Sequence, residues 1–151
     1  MEKGDTIPDV VLVDETGDVP LRSLVGGWAV IYFYPKDDTF GCTREAQEFT
    51  ALAREYEAAG VQVVGISKDS VVSHGKFIAK HDLGVRLLSD HTGAACEAFG
   101  VWVEKSMYGR KYMGVERATF LFNAQGALVE QWRKVRVPGH APAVLAAARK
   151  L

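Results

Sequence analysis

The chain has 151 residues, 48% of them hydrophobic and 25% charged, with a formal net charge of -1. This is the size and composition of one soluble globular domain, and the near-neutral charge excludes a global pull toward nucleic acid or an acidic membrane surface. Two cysteines make no disulfide scaffold and point to a thiol role in a reducing compartment, and the apolar runs fall far short of the ~20 residues of a spanning helix.

The N-terminal MEKGDTIPDVVLVDE has no basic segment followed by an apolar one, so no signal peptide is expected. A single cytoplasmic domain over residues 1–151 is the expectation, with no repeat, low-complexity tract or linker. WAVIYFY (28–34) is short, β-branched and aromatic, as in a strand buried on both faces, and Pro35 ends it. Cys42, Ala46, Phe49, Ala53 and Tyr56, with Leu52 beside them, recur at helical spacing, and Arg44, Glu45, Glu48 and Glu55 fall between them. Gly60 is placed to end that helix. VQVVGIS (61–67) reads as a second strand, 70–82 as a helix stopping near Gly84, VRLLSD (85–90) as a third strand and GAACEAFG (93–100) as a short helix. ATFLFNAQGALVEQWRKV (118–135) has the pattern of a β-hairpin turning at Asn123–Gly126. Pro142 is placed to start a last helix through Ala143–Leu151. This order describes an α/β fold with a central mixed sheet flanked by helices.

Cys42 sits at a strand-to-helix junction. With Thr39 as N-cap it is the third helical residue, where free N–H groups and the positive end of the helix dipole favour a thiolate over a thiol. Pro35 shapes the turn and excludes water from one side. Thr39 brings a hydroxyl for the thiolate or for an oxygen of whatever it attacks, and Gly41 allows close backbone approach. A lone cysteine on an apolar helix face is also commonly a small buried hydrophobe. From position alone, both readings stand.

The run Pro35-Lys-Asp-Asp-Thr39-Phe-Gly-Cys42 resembles the Pro-x-x-x-Thr-x-x-Cys signature of the peroxiredoxins. YFYPKDDTFGCTREAQEF, VVGISKDSVVSHGKF, LLSDHTGAACEAFGVW, EKSMYGRKYMGVERATFLFNAQG and VPGHAPAVL together are similar to the subfamily called bacterioferritin comigratory protein, or peroxiredoxin Q, over nearly the whole chain. The resemblance implies a thioredoxin-like fold and hydroperoxide reduction by Cys42 as peroxidatic cysteine. Thr39 would hold the peroxide, Pro35 would shield the site, and Arg117 would enter it from a neighbouring strand. Such chemistry needs a charged sulfur, an in-line approach and stabilisation of the leaving oxygen, and a permanently charged guanidinium fork suits the last of these. From the residues alone, the preferred reading of Arg117 is a surface arginine at a strand edge.

Many members of the subfamily carry a resolving cysteine. Here two of its usual places are occupied by Gln47 and Ile78, and the second cysteine, Cys96, is expected to be a structural thiol on a buried helix face. A single-cysteine mechanism follows, with an external thiol reducing the sulfenic acid: thioredoxin, glutaredoxin or a small thiol. No cofactor and no metal are expected. His74, His81, His91 and His140 show no ligand spacing and read as ordinary surface histidines. Lys105, Arg110, Lys111 and Arg117, interleaved with Tyr108 and Tyr112, read as a solvated loop beside the site rather than a nucleic-acid surface. Trp102 and Met107 are expected at its apolar rim or in the core. Neither nucleic acid nor membrane is an expected partner, and a monomer, or at most a small dimer, is implied. A redox sensor using the same cysteine and a non-catalytic holdase are the rival readings.

Overall fold

The computed structural model describes residues 1–150. In chain order the elements are β1 (Val11–Asp14), β2 (Gly17–Pro20), a 3-10 turn (Leu21–Leu24), β3 (Trp28–Phe33), α1 (Phe40–Ala51), α2 (Ala53–Ala58), β4 (Val61–Ser67), α3 (Val71–His81), β5 (Arg86–Ser89), α4 (Ala94–Ala98), β6 (Trp102–Met107), β7 (Arg110–Val115), β8 (Ala118–Phe122), β9 (Leu128–Trp132) and α5 (His140–Arg149). The expected end of the last helix at Leu151 lies outside the described residues.

The apolar run 28–34 lies at the centre, as its composition requires. In the seven-stranded order β2-β1-β5-β4-β3-β8-β9, β3 pairs in parallel with β4 and antiparallel with β8. Successive side chains alternate between the two faces. Ala29, Ile31 and Phe33, with Phe120 and Phe122, join a core containing Cys96 and Phe99. Val30, Tyr32 and Tyr34, with Leu121, join a second core containing Cys42, Phe49, Tyr56, Phe77, Val144 and Leu145. Helices α1, α2, α3 and α5 therefore cover one face, and α4 the other. The sheet stands between the two cysteines.

The helix expected to run from Cys42 to Gly60 is broken at Leu52, where φ is -102° and ψ is 9°. Thr50 donates its hydroxyl to Ala46 O at 2.7 Å and accepts from Gly84 N at 3.0 Å. Such back-bonding bends a helix. Ser70 caps α3 by accepting from Ser73 N at 3.1 Å, and Asp82 ends it in the left-handed region with φ 51°. The last helix starts at His140, two residues before Pro142, which sits in the first turn, where its missing N–H costs nothing. The β1–β2 hairpin was not expected. It is a short, charged edge pair turned at Asp14–Gly17. The segment read as a solvated loop is a second hairpin, β6–β7. Its turn, Tyr108 (φ 51°) and Gly109 (φ 78°), has the two positive φ values of a type I′ hairpin turn. No helix among the described residues is long and apolar enough to cross a membrane.

Candidate active site

Strand β3 delivers the chain to a six-residue loop, and the loop delivers it to α1. Tyr34 N donates to Ile66 O at 3.1 Å, extending the sheet contact by one residue. Pro35 follows, half-buried. Thr39 is the N-cap of α1, as expected, and Cys42 is the third helical residue. Cys42 is 2% exposed, on the inner side of its helix.

Arg117, immediately before β8, reaches this turn. Its Nη2 donates to Cys42 Sγ at 3.2 Å, and its Nη1 donates to Glu45 Oε1 at 2.6 Å. The surface-arginine reading is overturned: the Arg117 side chain is 17% exposed. Burial pulls the guanidinium down, but Glu45 and Cys42 outweigh it and hold its proton more firmly than usual. Gly41 serves this approach. A Cβ there would lie 3.2 Å from Arg117 Nη2, so the absent side chain makes room for the guanidinium over the first turn.

Glu45 was expected on the polar side of the helix. Instead it is 1% exposed, because the residue three after Cys42 shares its face and Arg117 neutralises it there. Burial outweighs Arg117 and pushes its carboxyl up to about 7. The folded chain thus binds a proton that the unfolded chain releases between about pH 4.5 and 7, and stability falls as pH rises through that window. Glu45→Gln removes the titration. The stability of the wild type relative to that variant is expected to decline from pH 4.5 to 7, by at most about 1.4 kcal/mol per pH unit, in urea melts at several pH values. A pH-independent difference would mean that Glu45 stays ionised throughout.

The Thr39 hydroxyl does not bond Cys42. It donates to Lys36 O at 2.9 Å, which commits its proton and leaves the oxygen as an acceptor. Lys105 on β6, read as solvated, is half-buried. Burial lowers its ammonium, as does Arg117, while Cys42 acts the other way, so a second cation lies in the field of the sulfur. Trp102 packs against the core on the far face, with Lys68 Nζ 4.0 Å from its ring centroid. Met107 is exposed.

Two histidines are not surface residues. His74 is 3% and His140 7% exposed. His140 Nε2 lies 2.7 Å from Thr119 Oγ1, and burial, aided by Arg117, lowers the ring to about 4. His74 Nδ1 lies 2.7 Å from Asp37 Oδ2. Asp37, Asp69 and His74 offer ligand-type atoms within 4.8 Å of one another, but these atoms already bond each other and their neighbours. Spacing alone could have paired Asp37 with nothing; the signal lies in its position two residues before the N-cap. Cys96 is fully buried, as expected. Burial, reinforced by Asp90, pushes its thiol well above the usual range, and its backbone N donates to Asp90 Oδ2 at 2.8 Å.

Residues 3–131 match the AhpC/TSA family. Peroxiredoxin Bcp of Xanthomonas campestris pv. campestris is 52% identical over 129 residues, covering 85% of this chain and 81% of that protein. Peroxiredoxin Bcp of Bacillus subtilis is 43% identical over 141 residues, covering 93% and 90%. Among solved structures, the Xanthomonas campestris bacterioferritin comigratory protein, described for its alkyl peroxide reduction activity, superposes with a TM-score of 0.90 at 46% identity, covering 99% of this chain and 96% of that one.

Proposed function

We propose, from the premise that this chain belongs to the AhpC/TSA family, and within it to the thiol peroxidases named peroxiredoxin Bcp or peroxiredoxin Q, that Cys42 is its peroxidatic cysteine and that it works by a single-cysteine mechanism on hydrogen peroxide and organic hydroperoxides. The observation that carries this reading is the 3.2 Å contact between Arg117 Nη2 and Cys42 Sγ in the first turn of α1. A thiolate there has a cation and free helix N–H groups beside it.

The Cys42 thiolate attacks the distal peroxide oxygen. An S–O bond forms, the O–O bond breaks, and the sulfur is oxidised to a sulfenic acid. The proximal oxygen leaves as hydroxide or alkoxide and takes a proton to become water or an alcohol. Arg117 donates to the oxygens as charge builds on them. Thr39, its own proton held by Lys36 O, accepts from the peroxide O–H and orients it. Pro35 walls the turn. An external thiol then attacks the sulfenic sulfur, releasing water and forming a mixed disulfide. A second thiol attacks the external sulfur of that mixed disulfide, releasing the Cys42 thiolate and leaving the two external thiols joined as a disulfide. The alkyl peroxide activity of the Xanthomonas protein supports including organic hydroperoxides. Thioredoxin, glutaredoxin or a small thiol would serve as reductant. The proposed setting is the reducing cytoplasm, in keeping with two free cysteines, and the proposed state is a monomer.

Cys96 supports the single-cysteine step by its place. A disulfide needs Cα atoms within about 7 Å, and Cys42 and Cys96 belong to cores on opposite faces of the sheet. Cys96→Ala is therefore expected to keep peroxidase turnover within about twofold of wild type with a small-thiol donor, since burial-set thiols are inert. Non-reducing peptide mapping after one equivalent of peroxide is expected to find a sulfenic or sulfinic acid at Cys42. A dominant Cys42–Cys96 peptide, with loss of recycling in the variant, would establish a two-cysteine enzyme. One stoichiometric oxidation without turnover, whatever the thiol donor, would favour a sensor.

A further inference from the structure

We propose that Asp37 and His74 are positioning residues for the Cys42 loop: with Tyr34 and Ser73 they latch the turn that carries Thr39 onto helix α3, and Asp38 adds an outer latch to the far end of the same helix. This rests on the peroxidase reading of Cys42.

The inner latch is buried and fully bonded. The side chains of Asp37 and His74 are each 4% exposed. Asp37 Oδ1 accepts from the Tyr34 hydroxyl at 2.6 Å, and Oδ2 accepts from Ser73 Oγ at 2.7 Å and faces His74 Nδ1 at 2.7 Å. The backbone N of Asp37 donates to Asp69 Oδ2 at 2.9 Å, and Asp69 in turn accepts from Ser67 Oγ at 2.6 Å, at the end of β4. His74 Nε2 lies 3.2 Å from Leu88 O on β5. Both ring nitrogens of His74 face acceptors, so one ring proton serves one of them and a second serves both. Burial pushes the Asp37 carboxyl up, yet bonds from His74, Tyr34 and Ser73 outweigh it and hold it below the usual range. The turn is thus tied to α3, β4 and β5 at once.

The outer latch is at the surface. Asp38 has φ 58°, a left-handed conformation that residues other than glycine adopt uncommonly. Its carboxylate faces Lys80 Nζ and His81 Nε2, each at 2.7 Å. Two consecutive aspartates therefore grip the two ends of α3, one through Ser73 and His74, the other through Lys80 and His81. Thr39 is the next residue, and Cys42 follows within one helical turn. Neither aspartate bonds the sulfur or Arg117, so neither is a catalytic residue. Their effect passes through the placement of Thr39, and a misplacement of about 1 Å costs roughly 10²-fold in a positioned reaction.

The test compares two rates at Cys42 in the full chain: oxidation by hydrogen peroxide in stopped flow, and alkylation by iodoacetamide followed by mass. Oxidation requires Thr39 and Arg117 in place around the peroxide; alkylation requires only an accessible thiolate. Asp37→Ala and His74→Leu are expected to slow oxidation about 10–100-fold, with alkylation unchanged or faster. His74→Asn, which keeps an N–H facing Asp37, is expected to recover part of the loss. Asp38→Ala, at an exposed position, is expected to show the same split at smaller size, and it carries the test if the buried variants fail to fold. Wild-type oxidation rates in the folded variants, or equal falls in both rates, overturn the proposal. Wild-type Cys42 oxidised no faster than free cysteine sinks the peroxidase reading instead.

Discussion

Replacing Cys42 by serine is expected to reduce peroxide turnover to background, a loss on the order of 10⁴-fold or more, the scale of removing a covalent nucleophile. The side chain is nearly isosteric, is itself buried within the first turn of α1 and can still accept from Arg117 Nη2, so the fold should be kept. What is lost is the anion, because an alcohol has no accessible charged form near neutral pH. Peroxide consumption with a thiol donor measures the effect, and a cooperative melt with unchanged helix content separates it from unfolding. Turnover by the serine variant within an order of magnitude of wild type would remove Cys42 from the mechanism.

Arg117→Ala carries the second large effect. It deletes the donor at 3.2 Å from the sulfur and is expected to slow Cys42 oxidation about 10²–10³-fold, the cost of one lost transition-state donor at ~2.7–4 kcal/mol. It also strands Glu45, which is 1% exposed and loses its 2.6 Å partner, so stability falls as well. The two losses separate in the double variant Arg117→Ala/Glu45→Gln, which should regain stability and remain slow. Arg117→Lys keeps a charge but not the planar fork that reaches Cys42 and Glu45 together, and is expected to recover only part of the rate. Stopped-flow oxidation by hydrogen peroxide decides it. An alanine variant oxidised at the wild-type rate would leave Arg117 with a structural role alone.

The central strands were legible because their residues carry their own instructions. WAVIYF and VQVVGIS are too apolar and β-branched to lie anywhere but in a covered sheet, and they form β3 and β4 within a residue of their expected ends. The placement of Cys42 at a helix start was equally local, readable from Pro35, Thr39 and the spacing that follows. The β6–β7 hairpin was hidden because its alternation is weak and its strands are mostly exposed; the Tyr108-Gly109 turn was its one local sign. Glu45 and His74 were misread for a different reason. A charged residue in a helical pattern is assigned to solvent unless its partner is known, and the partners lie 72 and 37 residues away.

By itself, then, the sequence determined the order of the main strands and helices, the junction at which Cys42 sits and, through its motifs, the family, since each depends on neighbouring residues or on short-range spacing. The tertiary structure alone decided that Arg117 bridges Cys42 and Glu45, that Asp37 and Asp38 tie the Cys42 turn to α3, and that Cys96 lies across the sheet from Cys42. Those are meetings of segments distant in the chain, and whether a buried charge finds its counter-charge, or one thiol can reach another, is settled only when the sheet brings its strands into register and puts each side chain on one face or the other.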